Sequence, residues 1–314
     1  MSADTQTARS GLGPHIALIT VQVLFGTWPV LGKFVLRSMS SSMLVASRLT
    51  GAAVVFLIIQ RNIRPLLKMH RKDFLMLAFS SAIGVVGNQF LYVKGLSLTT
   101  AINATLISTT IPVFALLMSI FFGYDRLSVR RFMGMLLAAI GVLYLVNPFR
   151  GAFTAETTIG NILIVSNSLL YGTYIVLSKD LFERYGALNV ITWIFLVGTV
   201  VTLPVGILTA RNEHLASLGV AILASLVVII LLPTVGAYYL NGWALTKVAP
   251  SVVAVYIYLQ PLIAFGLAPT ILGETWNSRT IVSSLLIFVG VAIVTRRSRS
   301  LAVREISEHP DLSR

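Results

Sequence analysis

Cysteine is absent from the 314 residues, so disulfides, thiolate-held zinc and cysteine nucleophiles are excluded and the redox compartment leaves no mark on the sequence. Charge is nearly as scarce, at 11% of residues against about 25% in ordinary water-soluble domains. The shortage is greatest for acids, with 11 Asp+Glu beside 24 Lys+Arg and a formal charge of +13. The four histidines, His15, His70, His214 and His309, fall at the ends of apolar segments or between them. Catalysis needs a buried carboxylate, a histidine cluster or a nucleophile with its base. None of these patterns occurs, so the chain reads as no enzyme, with no metal site and no cofactor. What fills the sequence is apolar: 56% of residues, a mean hydropathy of +0.87. The apolar residues come in blocks of roughly 18 to 24, the length that crosses a hydrocarbon layer about 30 Å thick. The fold class expected is an all-α polytopic membrane protein. The basic residues cluster between the blocks, so they report topology, and the expected partners are a lipid bilayer and a small solute, not nucleic acid.

Ten transmembrane helices are expected, at 15–35, 42–60, 73–94, 99–123, 130–147, 160–178, 189–209, 218–243, 250–272 and 280–295. Residues 1–14 read as a cytoplasmic N-terminal tail and 296–314 as a basic cytoplasmic tail. No small-residue cleavage site follows the first block, which is therefore expected to be retained. With the N-terminus inside, 17 Lys and Arg lie on the inner side and 6 on the outer, while Arg48 lies within the second span. Both termini are expected to be cytoplasmic by this bias. The short loops fit a bacterial inner (plasma) membrane, and a homodimer is compatible with the sequence.

The chain also repeats itself. A shift of 149 residues lays Gly87 on Gly236, Leu91 on Leu240, Leu96 on Leu245, Pro112 on Pro261, Arg130 on Arg279 and Gly141 on Gly290, without a gap. Asp125 falls on Glu274, each five residues before an arginine. Earlier in each half the shift is 146, and Phe25-Gly26-Thr27-Trp28 meets Tyr171-Gly172-Thr173-Tyr174 while Lys33 meets Lys179. Residues 15–147 and 160–295 are thus expected to be two copies of a five-helix unit. Because five is odd, the second copy enters the membrane from the opposite face, which gives an inverted repeat.

These landmarks resemble the drug/metabolite transporter superfamily, EamA type, over residues 15–295. The resemblance is carried by the paired Gly26-Thr27-Trp28 and Gly172-Thr173-Tyr174, by Arg48, and by Gly95-Leu96-Ser97-Leu98-Thr99-Thr100-Ala101 with Pro112. The matching stretch is Ala244-Leu245-Thr246-Lys247-Val248-Ala249-Pro250 with Pro261. Gln89-Phe90-Leu91-Tyr92 is similar to plant nodulin-like members, which are implicated in amino-acid and auxin movement. The resemblance implies a secondary transporter for export or facilitated passage of small metabolites through a central cavity, by alternating access between the halves, and names no substrate. The amides and phenols of the spans add the expectation of solutes such as amino acids or organic acids. An exchanger of nucleotide-sugar or phosphorylated metabolites and a non-transporting sensor or scaffold are the alternatives. Small four-span relatives that expel organic cations carry a glutamate in the first helix. Here Gln22, Thr27 and Trp28 stand instead, so proton-coupled efflux of lipophilic cations is disfavoured.

Candidate site residues follow from the cost of polar groups in lipid. Arg48, about 9 Å below the outer end of its span at 1.5 Å per residue, is either a cavity cation for a carboxylate or phosphate or a structural arginine on helix carbonyls. Asn88, Gln89, Tyr92, Tyr256 and Gln260 complete the substrate-binding set, with Asn88/Tyr92 and Tyr256/Gln260 each sharing a helix face at i, i+4. Pro112 and Pro261, with Gly87 and Gly236, are expected to shape the pathway by freeing backbone groups. Lys33 and Lys179 are either interfacial anchors or a paired gate. Trp28, Tyr124, Tyr185, Trp193, Trp243 and Trp276, near span ends, fit the interfacial belt.

Overall fold

An apolar run in lipid must close its own backbone hydrogen bonds, and here each run does so as a helix. The computed structural model describes residues 12–60, 69–123, 128–146, 155–210, 218–248, 253 and 256–295. Tyr124, Asp125, most of 249–255, residues 1–11 and the tail from 296 lie outside the described residues. Ten helices are found among the described residues: α1 (Leu12–Val35), α2 (Ser41–Gln60), α3 (Arg71–Leu98), α4 (Ala101–Phe121), α5 (Val129–Val146), α6 (Ala155–Tyr185), α7 (Ala187–Ala210), α8 (Val220–Leu245), α9 (Tyr256–Leu272) and α10 (Ser278–Thr295). Seven, α1 to α4 and α6 to α8, are long and apolar enough to cross a membrane by length and composition alone, and α5, α9 and α10 hold shorter apolar stretches. No strand occurs among the described residues. The protein is an all-α polytopic membrane protein. Several boundaries move from expectation: α1 already starts at Leu12, α3 runs on to Leu98, and α6 starts at Ala155 and runs on to Tyr185.

The halves interleave. Helix α1 packs on α8 and α9, and α6 packs on α3 and α4, so the first helix of each half crosses to the third and fourth of the other. Helices α2 and α7 pair with each other, as do α5 and α10. Each pairing maps onto its partner when the halves are exchanged, as a pseudo-two-fold axis requires. The same exchange holds at atomic scale. A methyl group on Gly26 would lie 3.1 Å from the Gln260 carbonyl oxygen, and one on Gly172 would lie 3.1 Å from that of Ile111, the residue equivalent to Gln260. Association of helices in lipid rests on such close packing, since water is not there to drive apolar surfaces together.

Four breaks in helical winding also obey the axis. Helix α3 contains a π turn at Ala82–Gly87 and α8 one at Ile230–Gly236, and both end at the glycines of the 149-residue match. In the fourth helices the prolines act as first-turn residues of a restarted helix. In α4 the winding stops at Ser108, turns through Thr109-Thr110 and resumes at Ile111, with Pro112 in the first turn. In α9 a 3₁₀ turn at Tyr256–Leu259 precedes Gln260–Leu272, with Pro261 in the first turn. Proline fits there because a first-turn N–H has no partner within the helix. At the α4 break the last carbonyls accept twice from the residue three positions on: Leu106 O from Thr109 N and, at 2.6 Å, Thr109 Oγ1, and Ile107 O from Thr110 N and, at 2.7 Å, Thr110 Oγ1.

Candidate functional site: a polar cavity on the pseudo-two-fold axis

The winding breaks converge on a cavity. It is lined by Phe25 and Trp28 of α1, Arg48 of α2, Asn88, Gln89 and Tyr92 of α3, Ser108 and Ile111 of α4, Asn167 and Tyr171 of α6, Tyr238 of α8 and Gln260 of α9. Both halves contribute. The cavity volume is about 60 Å³. At roughly 10–15 Å³ for each water centre, that is room for a few waters or a small solute, and a nucleotide would need the helices to part.

Arg48 dominates the site. Only 1% of its surface is exposed, and its guanidinium lies over Trp28, with Cζ 3.6 Å from the ring centroid. The ring in turn stacks on Tyr92, centroid to centroid 6.1 Å. Arg48 Nε and Nη2 both donate to Thr234 Oγ1, at 3.0 and 2.9 Å. That oxygen is purely an acceptor towards the arginine, because its proton is used elsewhere. Thr234 sends its own proton five residues back, to Ile229 O at 2.7 Å, a carbonyl whose α-helical donor position is Pro233, which has no N–H to give. Arg48 Nη1 donates to Gln89 Oε1 at 2.6 Å. All of these acceptors are neutral, and among the described residues no salt bridge involves Arg48.

Gln89 faces both ways. Its Nε2 donates to the Tyr238 hydroxyl at 2.7 Å. Gln89 and Tyr238 are equivalent residues, 149 positions apart, so this bond joins the halves on the axis itself. Around it, Asn167 Nδ2 donates to Asn88 O at 2.9 Å, Asn241 Nδ2 to the Tyr171 hydroxyl at 3.3 Å and Gln260 Nε2 to Gln22 Oε1 at 2.6 Å. Arg48 itself has no counterpart: shifts of 146 and 149 residues reach Ile194 and Val197 of α7. The cavity is symmetric in backbone and asymmetric in charge.

Of the expected binding residues, Arg48, Asn88, Gln89, Tyr92 and Gln260 line this cavity and Tyr256 does not. The Tyr256 hydroxyl lies 2.7 Å from His15 Nδ1. Its shared face with Gln260 fails because the 3₁₀ turn between them winds at three residues per turn, which rotates Tyr256 away. Trp28 departs from the interfacial reading, being buried against Arg48. Thr234 escaped sequence reasoning altogether, although its place beside Pro233, opposite Gly84 in the repeat, carried the signal.

The two lysines are equivalent in sequence and not in contact. Lys33 Nζ donates to the carbonyls of Leu96 at 2.8 Å, Ser97 at 3.3 Å and Thr99, holding the C-terminal end of α3. Beside it the Glu274 carboxylate accepts from the N–H groups of Ala101 at 2.7 Å and Ile102 at 3.0 Å, the first turn of α4. Lys179 instead forms an exposed pair with Glu183 at 2.5 Å. At that same end of the molecule Asp73 binds Arg184 and the Tyr185 hydroxyl.

Comparison with known proteins agrees with this architecture. The profile of the EamA-like transporter family matches twice, over residues 13–147 and 158–296. An uncharacterized transporter of Archaeoglobus fulgidus is 27% identical over 71% of this chain and 75% of its own length. A protein of Streptantibioticus cattleyicolor named as a probable terminal-alkyne amino-acid exporter is 28% identical over 80% of this chain and 83% of its own. A WAT1-related protein of Arabidopsis thaliana is 23% identical over 90% of this chain and 83% of its own. A protein of known crystal structure shares the fold with a TM-score of 0.66 and 18% identity, over 90% of this chain and 97% of that one. The chain belongs to the EamA-like transporter family, within the drug/metabolite transporter superfamily.

Proposed function

We propose that the chain is a secondary carrier of the plasma membrane, with both termini cytoplasmic, which exports small metabolites such as amino acids or organic acids by alternating access. One observation carries the reading: a buried polar cavity sits where the inverted halves cross, lined from both of them and framed by four helix interruptions. Broken helices at the crossing of two repeats are how membrane carriers place polar groups at mid-depth without leaving backbone unsatisfied. The Streptantibioticus relative supports an amino-acid class of cargo.

Charge separates this reading from a phosphate-ester exchanger. Arg48 is the one cation among the lining residues. Lys33 is bound to backbone carbonyls and Lys179 to Glu183, so neither is free to neutralise a second negative charge. The lining also includes no Asp or Glu, which leaves the solute's own gradient, or exchange, as the driving force. The test is counterflow in proteoliposomes loaded with unlabelled neutral amino acids or organic acids. Labelled solute is expected to accumulate transiently with or without a proton gradient. A chain that binds these solutes and moves none of them is a sensor, and the carrier reading falls.

A further inference from the structure

Arg48 poses a question of charge balance that the carrier reading leaves open. A fully buried guanidinium, set against an indole, is satisfied by two neutral oxygens, Thr234 Oγ1 and Gln89 Oε1. Buried cations are ordinarily matched by an anion, because neutral hydrogen bonds do not repay the lost hydration. The two acceptors differ in kind. Thr234 is fixed from behind by its bond to Ile229 O. Gln89 is a side-chain amide at the cavity wall, bonded through its other end to Tyr238.

Resting on the carrier reading of this cavity, we infer that Arg48 is the docking point for one carboxylate of the solute, which takes the position that Gln89 Oε1 holds on the guanidinium. The carboxylate belongs to a monoanionic end of a small molecule, since the lining offers one cation. Gln89 is its internal stand-in. The exchange has a mechanical consequence, because the amide that leaves Arg48 is the same group that holds Tyr238. Displacing Gln89 loosens the Gln89–Tyr238 bond, which spans the two halves on their axis. Cargo binding and release of the halves are thereby one event: the unloaded carrier is clasped by its own glutamine, and the loaded one is not. Thr234, also across the axis from Arg48, keeps the guanidinium in place in both conditions.

Matched probes test this on the purified full chain in detergent: propionate against propionamide, and benzoate against benzamide, each pair differing in the charge of one group. Binding is read by protection against thermal unfolding. Each carboxylate is expected to bind about tenfold or more tightly than its amide, as the loss of a charge-assisted bond implies. Arg48→Gln should erase that preference. Gln89→Leu removes the stand-in and leaves Arg48, so carboxylates should bind roughly tenfold more tightly; it keeps the test open should Arg48→Gln fail to fold. Equal binding of acid and amide, binding of neither, or weaker carboxylate binding in Gln89→Leu overturns the inference. The carrier reading fails separately. A chain that transports neutral solutes without preferring acids loses the docking point alone, and one that prefers acids but moves nothing loses the carrier alone.

Discussion

Arg48 costs the fold something: on translocon-insertion scales an arginine at mid-helix costs about 2.5–3.5 kcal/mol. The indole of Trp28 and the pair Thr234 and Gln89 offset part of that cost. Single glycines matter for a different reason. A methyl group on Gly172 would approach Ala115 N to 2.8 Å, with backbone as the obstacle, whereas one on Gly266 would meet nothing within 4 Å. Gly172→Ala is therefore expected to lower stability by about 1–3 kcal/mol through overpacking of α6 on α4. Gly266→Ala should leave the unfolding temperature unchanged or raise it, and thermal unfolding of the two side by side checks both outcomes. At this scale the sequence is legible where the chemistry is unusual: a lone arginine in an apolar run, an Asn-Gln pair, a repeated Gly-Thr-aromatic triplet. The roles of Thr234 and Trp28 are not legible, because a threonine or a tryptophan in a membrane helix has many ordinary uses, and only the packing of α1 and α8 against Arg48 selects this one.

Among elements, capping at the junction of α3 and α4 allows a local prediction. Glu274 presents both carboxylate oxygens to the first N–H groups of α4, where a negative charge also meets the positive end of the helix dipole. Glu274→Gln keeps the shape, removes the charge and turns an NH₂ towards one of the two N–H groups. A loss of about 1 kcal/mol is expected, read as faster hydrogen exchange at Ala101 and Ile102 with little change in the middle of α6. An unaltered exchange pattern would mean that the carboxylate is incidental to the cap. The repeat is readable in the residues alone, because a constant shift between two stretches of sequence needs no three-dimensional information. The π turns are not, since one turn of wider winding leaves apolar periodicity nearly intact. Their punctuation is present as Gly84 and Gly87, and as Pro233 and Gly236. The 3₁₀ start of α9 is the clearest failure of a helix-wheel argument, because four residues are one face only at α-helical pitch.

At the scale of the molecule the two halves are alike in packing and unlike in their locks. On the face where α3 ends, Lys33 ties α1 to the end of α3, and Glu274 ties the start of α4 to the other half. On the face where α6 ends, Lys179, the equivalent of Lys33, turns to an exposed glutamate instead, and the halves are joined by Asp73 on Arg184 and Tyr185 and by Gln60 on Asn189. On the proposed carrier reading, two faces held by different contacts are the places where alternating access would make and break the ties. The absence of native cysteine makes the motion measurable without removing any residue. Spin labels at Lys94→Cys and Thr275→Cys report the Lys33 face, and labels at Lys72→Cys and Asp180→Cys report the other. Distances within each pair, taken in liposomes with and without a transported carboxylate, test the central claim. If the cavity on the Gln89–Tyr238 axis is alternately exposed, the two distances move in opposite senses on loading. Two distances that stay fixed while the protein transports its solute would contradict the account.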